Sequence, residues 1–167
     1  MTSDALREAR DACERAFGFL VAEHGYRRDR RRFQWNGFLL RYRGPVLGVQ
    51  VTWYPRDEII VWLVRLVDGD FEERPWSIHP TTELHWFDLF DVVAVSGCPP
   101  PLTERERYAL PDDRTAGIVA GSLRDCGADL LSGDLARLTL LERRIQDRAR
   151  ADAIARFGAE GARSLGW

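Results

Sequence analysis

The sequence of 167 residues contains no lysine, so all 24 of its Lys and Arg residues are arginines. No hydrophobic run is long enough to cross a membrane, and the first 17 residues are charged throughout, unlike a secretory signal. These absences predict a cytoplasmic protein with no membrane contact. The net charge of −2 gives no overall attraction to nucleic acid.

Cysteine is also scarce, with Cys13, Cys98 and Cys126 far apart in the chain. Their odd number and the absence of a CxxC pair predict neither a zinc site nor a disulfide framework. Cys13 and Cys126 fall on apolar helical faces, so we interpret them as small buried side chains.

The motifs of common catalytic sites are missing, including GxSxG, GxGxxG and the phosphate-binding loop. His79 and His85, with Glu83, Asp88 and Asp91 nearby, could form an enzyme site only if the fold brought them into one pocket. Their spacing matches no usual set of metal ligands. We therefore expect a protein that is not an enzyme and that needs no metal or other cofactor.

The strongest positive signal is Asn36-Gly37 between two aromatic-rich alternating runs, which is typical of a β-hairpin. Counting outward from this turn places the rings on one face and the arginines on the other. In this register Arg32 lies opposite Arg41, and Arg30 lies opposite Arg43, an unfavourable pairing of like charges.

Two further strands, 46–54 and 59–66, extend the hairpin into a four-stranded antiparallel meander. The amphipathic segment from Ser3 or Asp4 to His24 predicts a helix that covers the apolar face of this sheet. We expect a second helical layer over Ile59, Val61 and Leu63 on the other face, beside an open arginine side. The apolar face then contains the hairpin rings together with Leu47, Val49, Val51, Trp53, Ile60, Trp62, Val64 and Leu66.

The remaining chain predicts helices, and the fold class is α+β. Helical spacing favours a helix over Glu83–Ser96, and the prolines at 99–101 mark a boundary. A capping box at Thr103 starts a short helix, and helices over 114–131 and from Asp134 onward form an antiparallel pair. We expect a sheet domain over 1–98 and a helical segment over 99–167 that packs on it.

Charge is segregated along the chain. Residues 27–43 contain seven arginines and one acid, whereas residues 67–91 contain seven acids and one arginine. These stretches could pair within the molecule, pair between copies, or bind a charged partner. The acids Glu142, Asp147 and Asp152 of the C-terminal helices could also neutralise the arginines.

The run FGFLVAEHGY at 17–26, the strand meander, and ELHWFDL at 83–89 together resemble a family. It consists of small uncharacterised bacterial α+β domains of the actinobacterial type, some of which belong to toxin–immunity gene sets. The resemblance covers residues 4–96 and assigns no functional residue. It implies an immunity-like inhibitor or an accessory subunit.

Two functional hypotheses follow. The first is a protein-binding module in which an acidic, tryptophan-containing loop and helix meet a basic partner. The second is a nucleic-acid or phosphate-binding protein, which the overall acidity makes less favoured. We also consider a second copy of the chain as a partner, in a homodimer formed through the C-terminal helices. The protein-binding residues would be Asp68, Asp70, Glu72, Glu73, Trp76, Glu83, Trp86 and Asp88. The anion-binding residues would be Arg30, Arg32, Arg41 and Arg43.

Overall fold

The structure, a computed structural model, describes residues 3–29, 32–34, 37–54, 59–103, 106 and 111–167, with the backbone alone for 3 and 32–34. The fold is α+β, with an N-terminal helix, an antiparallel sheet and C-terminal helices. The helices are α1 (Ser3–Ala16), α2 (Phe19–Ala22), α3 (Leu89–Val95), α4 (Asp113–Cys126), α5 (Ala128–Leu131) and α6 (Leu138–Ser164). The strands are β1 (Arg27–Arg28), β2 (Arg32–Gln34), β3 (Gly37–Arg43), β4 (Leu47–Trp53), β5 (Ile60–Arg65) and β6 (Trp86–Asp88).

The N-terminal helix ends at Ala16, earlier than the predicted end at His24, and α2 adds a single short turn. Gly25 adopts the predicted left-handed conformation with φ of 68°. The backbone N–H of Tyr26 then donates to the carbonyl of Leu20 at 2.9 Å, and its ring is buried. This closure returns the chain to the sheet.

The sheet has the order β1-β3-β4-β5-β6, and β2 pairs with β3 beside β1. It therefore has five strand positions instead of the predicted four. All of its pairs are antiparallel. The additional position is β6, which pairs with β5 through Leu63 and Phe87.

The hairpin register differs from the prediction by two residues. Arg32 pairs with Leu39 instead of Arg41, and Arg43 pairs with Arg27, whereas Arg30 lies outside the described residues. Gly37 belongs to β3, where a Cβ atom would lie 2.2 Å from the Trp53 carbonyl oxygen. Glycine is therefore needed here for close approach of two backbones. A shift of two residues leaves every side chain of β3 on its predicted face.

The predicted faces are correct in β3 and β4 but inverted in β5. Val51 pairs with Val61 and Val49 with Leu63, so Val61 and Leu63 lie on the core face, and Trp62 lies on the opposite one. A change of one residue in the register across the connection after β4 inverts the whole strand, because side chains alternate with period two.

The six helices named above all contribute to the core on one face of the sheet, and the second face has a different cover. One continuous core includes residues of the sheet, of α1 and of the helices after residue 99. The predicted second helical layer is therefore wrong. Its place is taken by the irregular segment 66–85, which we call the strap, and Phe71 of the strap lies against Gly48 of β4.

The predicted helix over Glu83–Ser96 begins as a strand. Residues Trp86–Asp88 form β6, and α3 starts only at Leu89. The Asp88 side chain accepts a hydrogen bond from the backbone N–H of Phe90 at 2.8 Å and caps the helix. Aromatic residues favour the strand here, because they fit the half-buried edge of the sheet.

The C-terminal helices are arranged around α3. Both α4 and α6 pack against α3, and α4 also packs against α1, so the two long helices meet through α3. The helix predicted from Asp134 starts at Leu138 and is interrupted at Gly158, where φ is 72°. Thr103 and Glu106 form the predicted capping box. The backbone N–H of Thr103 donates to the Glu106 carboxylate at 3.0 Å, and the backbone N–H of Glu106 donates to Thr103 Oγ1 at 3.4 Å. Most of the short helix predicted after them lies outside the described residues.

The expectation that no disulfide forms is wrong. Cys98 and Cys126 are bonded, with their Cα atoms 6.5 Å apart, and join the ends of α3 and α4. The fold brings them together across 28 residues, a proximity that spacing in the sequence does not reveal. Cys13 is buried as predicted, and burial raises the pKa of its thiol to about 12. None of the described helices is both long and apolar enough to cross a membrane.

Replacing Gly48 with alanine should destabilise the protein by about 1–3 kcal/mol, because the new methyl group would overlap the Phe71 ring. Gly121→Ala is the matched control, since no atom lies within 4 Å of its new Cβ. That change should stabilise α4 by up to about 1 kcal/mol. Chemical unfolding of both variants measures the difference, and equal effects would place Phe71 away from the sheet.

Reducing the disulfide should lower the free energy of unfolding by about 3–4 kcal/mol, because it frees a loop of this length in the unfolded chain. Unfolding with and without a dithiol reductant measures the loss. Cys98→Ser should show the same stability as the reduced protein and no further response to reductant. Thiol titration of the unfolded, unreduced chain should find Cys13 alone, and three reactive thiols would contradict the bond.

Candidate functional site

The strap brings part of the acidic stretch onto the arginine face of the sheet. The Arg43 guanidinium donates to Asp29 at 2.9 Å, to Asp70 at 3.0 Å and to the carbonyl of Gly69. The hydrogen bonds to Asp29 and then to Asp70 raise the pKa of Arg43. The backbone N–H of Phe71 and then Arg43 lower the pKa of Asp70. Arg43 and Asp70, which belong to the basic and the acidic stretch of the chain, are therefore paired with each other within the molecule.

Arg41 is also engaged within the molecule. Its Nε donates to the Gln50 side chain at 2.7 Å, and its guanidinium carbon lies 4.6 Å from the centroid of the Phe71 ring. The side chains of Arg30 and Arg32 lie outside the described residues. Both described members of the predicted anion-binding set therefore have internal partners.

The predicted protein-binding residues separate into two groups. Trp86 is buried, Asp88 caps α3, and Asp70 pairs with Arg43, so these three side chains are not free surface groups. The others are exposed. They are Asp68, Glu72, Glu73, Trp76 and Glu83.

Trp76 is 99% exposed, the highest value among the exposed large apolar residues. It stands at the mouth of a cavity of about 440 Å³ between the strap, the edge of the sheet and the C-terminal part of α6. We call this cavity the Trp76 cleft. The apolar part of its lining includes Trp62, Trp76, Trp86, Phe157, Leu165 and Trp167.

A buried aspartate holds α6 against the rest of the cleft. Asp91 of α3 is 2% exposed and accepts hydrogen bonds from Arg148 at 2.6 and 2.8 Å and from Arg144 at 3.1 Å. The hydrogen bond to Asp91 raises the pKa of Arg148. Arg65 of β5 adds a second link to α6, donating to Glu142 at 2.8 Å.

The three C-terminal acids form no ion pair with the hairpin arginines whose side chains the structure describes. Glu142 pairs with Arg65, Asp147 lies 4.0 Å from Arg143, and Asp152 lines the Trp76 cleft.

Both histidines of the enzyme hypothesis line the Trp76 cleft, together with Asp88 and Asp91. His79 Nε2 lies 3.0 Å from the hydroxyl oxygen of Ser77. His85 is largely buried, and its Nε2 lies 3.7 and 3.8 Å from carboxylate oxygens of the strap residues Glu72 and Glu83. Asp88 and Asp91 are already committed to a helix cap and to arginines. In the part of the chain that the structure describes, no group of His, Cys, Asp and Glu is arranged to hold a metal ion.

The α6 wall of the cleft was not predicted from the sequence. Arg148, Arg156 and Phe157 contribute to it, and Trp167 completes it from beyond the helix. Phe157 lies off the apolar stripe of Leu138, Leu141 and Ile145, and a large apolar residue off such a stripe is the signal that could have indicated an exposed surface.

Neither a protein-family model, nor a curated protein, nor a solved structure matches the chain.

Proposed function

We propose that the protein is a non-enzymatic protein-binding module that engages a basic partner at the mouth of the Trp76 cleft. The observation that supports this most is the full exposure of Trp76. A large aromatic side chain gains binding free energy when a partner buries it, and tryptophan is enriched among residues that dominate interfaces.

Exposed apolar surface is concentrated at this cleft. Phe157 is 60% exposed and Leu165 is 44% exposed, and both line the cleft with Trp76. Ile154, 41% exposed, lies on the same stretch of α6. Contiguous apolar surface of this kind is typical of a protein interaction site, whereas single exposed apolar residues are common everywhere.

The exposed carboxylates of the strap, the segment that contains Trp76, favour a basic partner. Glu72 and Glu73 precede Trp76 on the strap, and Glu83 follows it, all with exposed side chains. Such carboxylates would attract a cationic surface and increase the association rate, while Trp76 would contribute to the lifetime of the complex. An immunity-like inhibitor or an accessory subunit would use this arrangement.

The alternative of nucleic-acid or phosphate binding by the hairpin has less support. Arg43 already contacts two carboxylates, and Arg41 already contacts Gln50 and Phe71. A phosphate would have to compete with these internal partners.

Trp76→Ala should weaken partner binding by about 2 kcal/mol or more, which is about 30-fold, without loss of folding. The fold should tolerate this change because the side chain is fully exposed. The measurement has two steps. Proteins of the native host that bind the wild-type chain are first compared with those that bind the variant, and each candidate is then purified and titrated.

Leu140→Ala is the matched control, because Leu140 is 55% exposed on α6 and does not line the Trp76 cleft. It should leave the affinity unchanged. Glu72→Gln with Glu73→Gln should slow association and reduce its dependence on salt. A partner that binds wild type and Trp76→Ala equally well would contradict the proposal, as would a dimer of this chain that buries Trp76.

A further inference from the structure

The lining of the Trp76 cleft includes exposed charged side chains of both signs that form no ion pair among the described residues. Arg74 of the strap and Arg156 of α6 supply guanidinium groups, and Asp152 supplies a carboxylate one turn before Arg156. The other two aspartates of the lining are committed, since Asp91 binds two arginines and Asp88 caps α3.

Arg74 is held in place by an aromatic ring, with its guanidinium carbon 4.0 Å from the centroid of the Trp62 ring. Burial lowers the pKa of Arg74, and the like charge of Arg148 acts in the same direction, while Asp88 opposes it. The cationic form of Arg74 would therefore be stabilised by an additional anionic group in the cleft.

The lining also contains buried polar atoms without a hydrogen-bond partner among the described residues. These are Nε1 of Trp86 and Nδ1 of His85. Both atoms are shielded from the open space of the cleft, so a ligand there would take its polar contacts from the charged side chains of the lining.

We propose that the Trp76 cleft binds a small zwitterionic ligand with a large apolar group, the chemistry of a free aromatic amino acid or an aromatic dipeptide. The ligand carboxylate would contact Arg74 or Arg156, its ammonium group would contact Asp152, and its ring would pack among the aromatic side chains. The cavity volume of about 440 Å³ suits a ligand of this size. This inference concerns the interior of the cleft and does not rest on the protein-binding proposal.

Isothermal titration with L-phenylalanine, its dipeptide, L-phenylalanine amide and N-acetyl-L-phenylalanine tests the proposal. The amide lacks the carboxylate and the acetyl compound lacks the ammonium group, so each should bind at least about 10-fold more weakly than the parent amino acid. Tighter binding of the dipeptide would identify a peptide as the ligand source, and tighter binding of the free amino acid would identify a metabolite. Both results support the site.

Variants assign each charge to its partner. Arg74→Gln and Arg156→Gln test the two candidate contacts of the carboxylate. At least one of them should weaken L-phenylalanine binding about 10-fold and leave binding of the amide unchanged, because the amide has no carboxylate. Asp152→Asn should weaken L-phenylalanine to the same degree and leave the N-acetyl compound unchanged. Arg150→Gln is the control, since Arg150 is exposed on the same helix but does not line the cleft.

Three results would overturn the proposal. One is that none of the compounds binds at ligand concentrations up to about 10 mM, which means that any dissociation constant is weaker than millimolar. Another is equal affinity for the amino acid and both blocked analogues. The third is an equal loss in Arg150→Gln and Arg156→Gln, which would show that the charge of α6 acts without a defined contact.

Discussion

The contact between the strap and the second face of the sheet positions the partners of Arg43 and one wall of the Trp76 cleft. The Phe71 ring occupies the space that a side chain at Gly48 would need, and Arg43 donates a hydrogen bond to Asp70, the residue before Phe71. This pair of contacts partly covers Arg41 and Arg43 on the arginine face and joins part of the two segregated charge blocks within one molecule. The strap then continues past Trp76 to β6, so it also forms one wall of the cleft.

The sequence predicted the fold class and the two-faced character of β3 and β4, because alternation with period two is a local property that survives errors in turn geometry. It could not predict the orientation of β5. That orientation depends on which residue of β5 pairs with Val51, and a shift of this pairing by one residue inverts the strand. The strand β6 was also not predicted, because the apolar residues at 84, 87, 92 and 95 fit a helical spacing. Its pairing with β5, which favours a strand, depends on a residue pairing that is distant in the sequence.

The candidate site could be predicted only in part. Trp76 and the strap acids follow from composition, whereas the α6 wall depends on tertiary packing. Asp91 is the residue that brings this wall into place, because its buried carboxylate needs the two arginines of α6 as counter-charges. Burial of that carboxylate is not visible in the sequence, where Asp88 and Asp91 look like one acidic patch. The proximity of Cys98 and Cys126 also depends on tertiary packing, so their disulfide could not be predicted from the sequence.

The position of the strap can be tested most directly by nuclear magnetic resonance on the isotope-labelled full chain. Our account predicts strong nuclear Overhauser contacts between the Phe71 ring protons and the Hα protons of Gly48, because the ring fills the space that a side chain at Gly48 would need. Absence of these contacts, with rapid amide exchange throughout the strap, would contradict the account.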